Sequence, residues 1–141
     1  MDNELTDIAV RLRRSVARLN RRLRLSATGS LSAPQVSILA LLEKNESLTL
    51  GELAALEQMR PPSITPLVRG LEAAGLLSCV KDETDRRATR VRLSERGRLE
   101  LDADRQRRNE FLERRLAALS PVDRRRASQL VTFLENLLEE S

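Results

Sequence analysis

The spacing of apolar residues changes abruptly in the middle of this chain, and that change limits the fold more than any other feature. In the first half of the chain, apolar residues recur every three or four positions, which is the spacing of a helix face. Over 76–81 and 88–93 they instead alternate with polar residues, as Val91 and Leu93 do with the arginine between them. The sequence therefore predicts a β-hairpin, with a loop at 82–87, directly after a series of helices.

Two short helices precede this hairpin. Thr49 and Glu52 have the spacing of a capping box, which predicts the start of the first helix. The apolar residues predicted to face its core are Leu50, Leu53, Ala54 and Leu56. The second helix is predicted over about 62–74, and Gly75 is placed to end it in a left-handed conformation. Its predicted inward residues are Ile64, Leu67, Val68 and Leu71.

Helices this short, joined by a tight turn, have the dimensions of a helix-turn-helix, whose second helix enters the major groove of DNA. A hairpin that directly follows such a unit is a wing. An ordinary helical hairpin remains an alternative for the segment before Gly75 when that segment is taken alone.

Amphipathic helices flank this central part on both sides. One is predicted over 2–25, and another begins at the capping box of Ser32 and Gln35. Two more are predicted to follow the caps Ser94 and Ser120. The helices at the two ends would expose long apolar stripes in a monomer, so we expect them to pack on each other and on a second copy of the chain.

The predicted fold class is therefore mainly α (α+β). We expect a winged helix-turn-helix with a two-stranded wing over 31–93, which would be the DNA-binding domain. We expect N- and C-terminal helices, 1–30 and 94–141, to form an intertwined dimerisation region of a homodimer.

Composition points away from enzymes and toward a polyanionic partner. The chain has no histidine and one cysteine, which removes the commonest general base and metal ligand and any intrachain disulfide. No nucleophile–base pair, metal-ligand cluster or phosphate-binding glycine loop is visible, so we expect no catalytic residue, metal or cofactor. The net charge of +4 and a pI near 10.4 favour a polyanion such as DNA.

The sequence also predicts a cytoplasmic location without membrane contact. No apolar run approaches the roughly 20 residues that a membrane span needs, and the N-terminus is charged where a signal peptide is apolar.

Two segments resemble the MarR (multiple antibiotic resistance regulator) family. The segment DRRATRVRLSERG, at 85–97, is similar to the family's wing signature, in which an Asp-x-Arg pair precedes a strand, a Leu-Ser/Thr pair and a glycine. The segment LTLGELAALEQMRPPSITPLVRGLEAAGLL, at 48–77, is similar to its helix-turn-helix. The resemblance implies a triangular dimer that binds a near-palindromic operator in double-stranded DNA. It also implies a repressor of a neighbouring gene that a small-molecule effector often releases.

The predicted recognition helix offers few groups that can read bases. With its apolar residues inward, its outward or flanking residues are Pro62, Ser63, Thr65, Pro66 and Arg69. Arg69 can donate hydrogen bonds to both O6 and N7 of guanine, whereas a proline offers only van der Waals contact. Pro66 is a departure from many family members: beyond the first turn it deletes a helical hydrogen bond. The helix is then expected to begin near Ser63 or to be locally distorted.

The predicted wing carries Arg86 and Arg87 at its tip, where a guanidinium can enter a narrow minor groove. The resemblance implies that Asp85 orients Arg87, and Arg90 on the following strand completes the predicted wing contacts. Elsewhere, Ser32 and Gln35 are predicted to contact phosphate, because a helix N-terminus presents free amides. A solvated charged turn is the alternative interpretation of the wing tip.

A dimeric scaffold whose winged module binds protein is the alternative function. The arginines at the wing tip favour DNA over a protein partner, which would not need them. Cys79 is predicted to be a structural thiol in a strand, and the alternative is a peroxide sensor.

Overall fold

The computed structural model of the protein describes residues 3–27, 29 and 31–139. Asp2, where the first helix was predicted to begin, lies outside the described residues. The elements in chain order are α1 (Asn3–Ser26), α2 (Ala33–Lys44), β1 (Leu48–Thr49), α3 (Leu50–Leu56), α4 (Pro61–Ala73), β2 (Leu77–Lys81), β3 (Thr89–Leu93), α5 (Glu95–Ala117) and α6 (Pro121–Glu139). Within the described part of the chain, no helix is long and apolar enough to cross a membrane.

Side-chain caps fix where the first helices of the central part begin. The Ser32 hydroxyl accepts a hydrogen bond from the Gln35 amide at 3.3 Å, and the Gln35 side-chain oxygen accepts one from the Ser32 amide at 3.0 Å. This reciprocal pair confirms the predicted capping box of α2. At α3, the Thr49 hydroxyl accepts from the Glu52 amide at 3.1 Å.

The turn between α3 and α4 is tight. Gln58 adopts a φ of 54°, in the left-handed region, and the Met59 amide donates back to the Ala54 carbonyl at 2.9 Å. From α2, the Ser37 hydroxyl donates to a Glu57 carboxylate oxygen at 2.7 Å. The turn of the helix-turn-helix is thereby attached to the preceding helix.

Gly75 ends α4 in the predicted left-handed conformation, with a φ of 76°. The Leu76 amide donates to the Leu71 carbonyl and the Gly75 amide donates to the Glu72 carbonyl, each at 2.9 Å. These two hydrogen bonds form a Schellman motif, in which a residue without Cβ avoids the steric cost of positive φ.

The sheet has three antiparallel strands in the order β1-β3-β2, which are the two strands of the predicted wing, β2 and β3, and one additional strand, β1. In the hairpin, Cys79 lies opposite Val91 and Val80 lies opposite Arg90. The additional strand, β1, pairs Leu48 with Val91. Two residues are too few to show alternation, so this strand could not be predicted from its apolar pattern.

The start of α5 is fixed against the turn that follows α4. The Ser94 hydroxyl donates to the Gly75 carbonyl at 2.6 Å and accepts from the Gly97 amide at 3.0 Å. A Cβ at Gly97 would collide with the carbonyl oxygen of Leu76. Glycine at this position therefore permits the backbones of α5 and of the α4–β2 turn to meet.

The buried core lies in the part of the chain from α2 to β3, which we call the winged lobe, and takes one residue from α5. Its largest fully buried side chains are Ile38, Leu39, Leu53, Ile64, Leu71, Val91 and Leu101. By contrast, α1 and α6 contain no buried residue within their described parts. Large apolar side chains on these helices are exposed, among them Leu5 at 64%, Phe133 at 56% and Leu138 at 77%.

Candidate DNA-binding surface

α4 has one buried face and one exposed face. Its buried side chains are Ile64, Val68 and Leu71. Of the predicted site residues on α4, the exposed ones are Pro62, Ser63, Pro66 and Arg69. Among the residues that the structure describes, no acid lies within ion-pair distance of Arg69. Its guanidinium is therefore free to bind an acceptor from another molecule.

Pro66 lies inside α4, so of the two expectations for this helix, a start near Ser63 or a local distortion, the start near Ser63 was wrong. The helix begins at Pro61 and continues to Ala73, with Pro66 as its sixth residue. Because proline has no N–H, the carbonyl of Pro62 lacks the helical hydrogen bond that residue 66 would otherwise donate. Two prolines in the first turn suit the helix start, since the amides there have no helical partner.

Thr65 is less available than the sequence suggested. Its side chain is half-buried, and its hydroxyl donates to the Pro61 carbonyl at 2.9 Å. A hydroxyl that uses its proton within the helix can only accept from an outside group. Ser63 forms no such bond among the described residues, which leaves Ser63 and Arg69 as the hydrogen-bond donors on this face.

The wing loop between β2 and β3 is ordered by its aspartates. Asp85 accepts a hydrogen bond from the Arg87 amide at 3.0 Å, and the Ala88 amide donates to the Asp85 carbonyl at 2.9 Å. Asp85 thus holds Arg87 through its backbone and not through its guanidinium. The side chains of Arg86 and Arg87 are exposed, and the described part of the chain places no acid within ion-pair distance of either.

Arg90 differs from the two arginines at the wing tip because its guanidinium is already bound. Its Nε donates to the Ser47 hydroxyl at 3.0 Å, and its Nη1 donates to a carboxylate oxygen of Asp82 at 3.2 Å. The structure therefore separates Arg90 from the free arginines with which the sequence grouped it. Neither Ser47 nor Asp82 was predicted as a site residue.

Ser32 and Gln35 lie at the N-terminus of α2, and their capping bonds leave two donor groups unused, the Ser32 hydroxyl proton and the Gln35 Nε2. The Ser32 oxygen and the Gln35 Oε1 are used in the cap. The Gln35 Nε2 points toward α4, where it lies 3.6 Å from the position that a Cβ on Gly70 would occupy. The side-chain amide of Gln35, on α2, is therefore adjacent to α4, the helix that carries Arg69.

Cys79 is half-buried in β2, on the face of the sheet that carries Val91. Burial raises the pKa of its thiol to about 12, and a hydrogen bond and the negative charge of Glu72 act in the same direction. A thiol that stays protonated at neutral pH is a poor nucleophile and reacts slowly with peroxide.

Comparison with known proteins places the fold and these motifs in one family. The model of the MarR family matches residues 31–89. An HTH-type transcriptional regulator of Mycobacterium bovis is 34% identical over 128 residues, which are 90% of each chain. The chain belongs to the MarR family.

Solved structures of MarR-type fold extend the similarity across almost the whole chain. A putative transcriptional regulator from Pseudomonas aeruginosa is 33% identical with a TM-score of 0.85, and the match covers 98% of this chain and 99% of that one. A MepR variant from S. aureus, bound to an oligodeoxyribonucleotide, has a TM-score of 0.72 at 19% identity, covering 93% and 97% of the two chains. The mainly helical winged helix-turn-helix fold is that of this family of transcriptional regulators, which bind DNA and are not enzymes.

Proposed function

We propose that this MarR-family regulator is a homodimeric repressor that binds a near-palindromic operator, with α4 in the major groove and the wing tip in the minor groove. One observation carries the proposal: Arg69 on α4 and Arg86 and Arg87 on the wing are exposed and have no acidic partner among the described residues. A surface that binds a protein partner would not need three unpaired guanidinium groups.

Base recognition by α4 is expected to depend on few contacts. Arg69 is the one side chain on the exposed face that can bind guanine with two hydrogen bonds. Ser63 can donate a single hydrogen bond, and Pro62 and Pro66 can contact only apolar groups such as a thymine methyl. Discrimination in each half-site should therefore be strongest at the position that Arg69 reads.

The wing supplies shape recognition in this proposal. The Asp85 turn keeps the backbone of the loop in one conformation, and the Arg86 and Arg87 side chains extend from it into solvent. A narrow minor groove in A·T-rich DNA has an enhanced negative potential that attracts such side chains. Phosphate contacts from Ser32 and the Gln35 amide at the N-terminus of α2 would fix the lobe in register.

The dimer is supported by the exposed apolar residues of the terminal helices. α1 and α6 contain no fully buried residue within one described chain, although both carry regularly spaced leucines. A second copy would cover these residues, with 1–30 and 94–141 as the dimerisation region and 31–93 as the DNA-binding domain. A two-fold dimer presents two identical lobes, which matches a near-palindromic operator.

Repression of a neighbouring gene and release by a small-molecule effector complete the proposal. Membership in the MarR family supports both, because the resemblance to that family implies them. Selection of bound sequences from random DNA would give the operator, and its position in the genome would identify the regulated gene.

The separate roles of α4 in base recognition and of the wing in shape recognition are tested by measuring the DNA affinity of variants over a salt series. Arg69→Ala should flatten the preference at one position per half-site, by roughly 1–3 kcal/mol, and leave other positions unchanged. Combined Arg86→Ala and Arg87→Ala should weaken binding to many sequences, reduce the preference for A·T-rich flanks and lower the salt slope by about one unit per lost ion contact.

Arg125→Ala is the matched control, because Arg125 is an exposed arginine on α6, outside the winged lobe. This variant should keep wild-type affinity, slope and flank preference. If the wing variant also kept all three, the wing would have no part in binding, and if wild-type protein bound no DNA in the selection, the whole proposal would fail.

A further inference from the structure

One guanidinium in the winged lobe connects three segments that are distant in sequence. Arg90 lies on β3, Ser47 lies in the loop just before β1, and Asp82 begins the wing loop. Arg90 donates to Ser47 at 3.0 Å and to Asp82 at 3.2 Å. We call this arrangement the Arg90 clamp.

Asp82 is held by more than its ion pair. Its Oδ1 accepts from the Thr84 amide at 3.1 Å and from the Thr84 hydroxyl at 3.0 Å, while its Oδ2 accepts from Arg90. Its own amide donates to the Ala88 carbonyl at 3.0 Å, across the base of the loop. The hydrogen bond from the Thr84 amide, followed by the other bonds to Thr84 and Arg90, lowers the pKa of Asp82, so the carboxylate is charged at neutral pH.

The two charged members of the clamp are also less exposed than the arginines at the wing tip. The Arg90 and Asp82 side chains are 31% and 16% exposed. Their charges neutralise each other, and the fork of the guanidinium is directed at protein acceptors. A guanidinium held in this way presents little positive charge to a phosphate.

We propose that Arg90 is a positioning residue: the Arg90 clamp fixes the wing loop against the segment that leads into α3, so that Arg86 and Arg87 are presented at a set distance from α4. Because Ser47 is two residues before the cap Thr49, the clamp ties the wing to the start of the helix-turn-helix. The clamp orders the loop before DNA arrives, and a preordered loop loses less conformational entropy on binding. This inference rests on the proposed function for its DNA readout.

The proposal and the alternative, a direct phosphate contact by Arg90, differ in the sign of one effect. If Arg90 contacts phosphate, Asp82 is a repulsive carboxylate near DNA, and Asp82→Asn should tighten binding. If Asp82 anchors the clamp, Asp82→Asn should weaken binding by about tenfold, the order of couplings within one hydrogen-bond network. Glu83→Gln is the control, because it removes the same charge from an exposed neighbour with no bond among the described residues. It should leave affinity unchanged or slightly raised.

Variants of Arg90 give a second, independent readout. Arg90→Gln should weaken binding while the salt slope stays at the wild-type value, because no ion contact with DNA is lost. Arg86→Gln should lower that slope by about one unit per half-site. Arg90→Lys should not restore affinity, since an ammonium cannot form the planar fork that reaches both Ser47 and Asp82. The double variant, Arg90→Gln with Asp82→Asn, should be no weaker than either single variant.

Hydrogen exchange in the absence of DNA separates failure of this inference from failure of the proposed function. In Arg90→Gln, the Arg87 amide at the wing tip should exchange faster than in wild type, while Glu83→Gln should leave it unchanged. Unchanged exchange, a lowered salt slope in Arg90→Gln, or tighter binding by Asp82→Asn would each overturn the clamp. If wild-type protein binds no DNA, the proposed function fails, and the exchange measurement still decides whether Arg90 orders the loop.

Discussion

The winged lobe buries its apolar stripes within the described chain, whereas α1 and α6 leave similar stripes largely exposed. In the lobe, α2, α3 and α4 direct their stripes at one another and at the sheet, and Leu53 and Ile64 are fully buried. On α1 and α6 the described residues include none that is buried, and Leu138 is 77% exposed. An apolar period therefore identifies a helix face, but the partner that covers the face can be another part of the chain or another molecule.

The comparison predicts that the largest effect comes from disrupting the proposed dimer contact between the apolar faces of the terminal helices. Leu134→Asp places a charge among the apolar residues of α6, so the dimer should be lost and the terminal helices should unfold with it, because folding and association are linked. Light scattering of wild-type protein at micromolar concentration should give twice the 15.9 kDa mass of one chain.

Ser128→Asp is the matched control, because Ser128 is an exposed polar residue on the same helix. It should leave the mass and the helical signal in circular dichroism unchanged. A folded wild-type monomer at micromolar concentration would contradict the homodimer, and a soluble, folded Leu134→Asp monomer would contradict the linkage.

A smaller effect is expected from truncating one side chain within the lobe. Leu53→Ala should lower the free energy of unfolding by about 2–5 kcal/mol, because it leaves a cavity in a core where Leu53 is fully buried. Leu56→Ala on the same helix should change it by about 0.5 kcal/mol or less, because Leu56 is 53% exposed. Urea denaturation at one protein concentration measures both. Equal losses would mean that a second chain covers Leu56, and the contrast between lobe and terminal helices would then weaken.

The smallest effect is expected at Cys79. Because its pKa is raised to about 12, alkylation should stay slow up to pH 9, and Cys79→Ser should leave DNA binding and its response to peroxide unchanged. The neutral thiol is favoured by the fold, so its contribution to stability is present below pH 9.0 and declines as the pH rises toward 12. Loss of a peroxide response in Cys79→Ser would make the thiol a sensor.

Features that depend on a few neighbouring residues could be predicted from the sequence. The cap at Ser32 and the left-handed Gly75 are set by contacts within six residues, and both were placed correctly. The start of α4, predicted at about residue 62, lies at Pro61, whereas the expectation of a start near Ser63 gave Pro66 more weight than the prolines of the first turn.

Features that depend on distant residues could not be predicted. The bond from Arg90 to Ser47 spans 43 positions, and the two-residue strand β1 exists only because β3 lies beside it. Asp82 and Thr84 do have the spacing of a local side-chain turn, which could have marked Asp82 as a structural residue. The sequence alone could not show which arginine Asp82 would bind.

The contact between Gly97 and the Leu76 carbonyl couples the start of α5 to the winged lobe. The backbones of Gly97 and Leu76 meet directly, and beside this contact the Ser94 hydroxyl donates to the Gly75 carbonyl. We therefore expect the first turns of α5 to move together with the winged lobe as one rigid body. Any change in the spacing of the two lobes of the proposed dimer would then have to originate farther along α5.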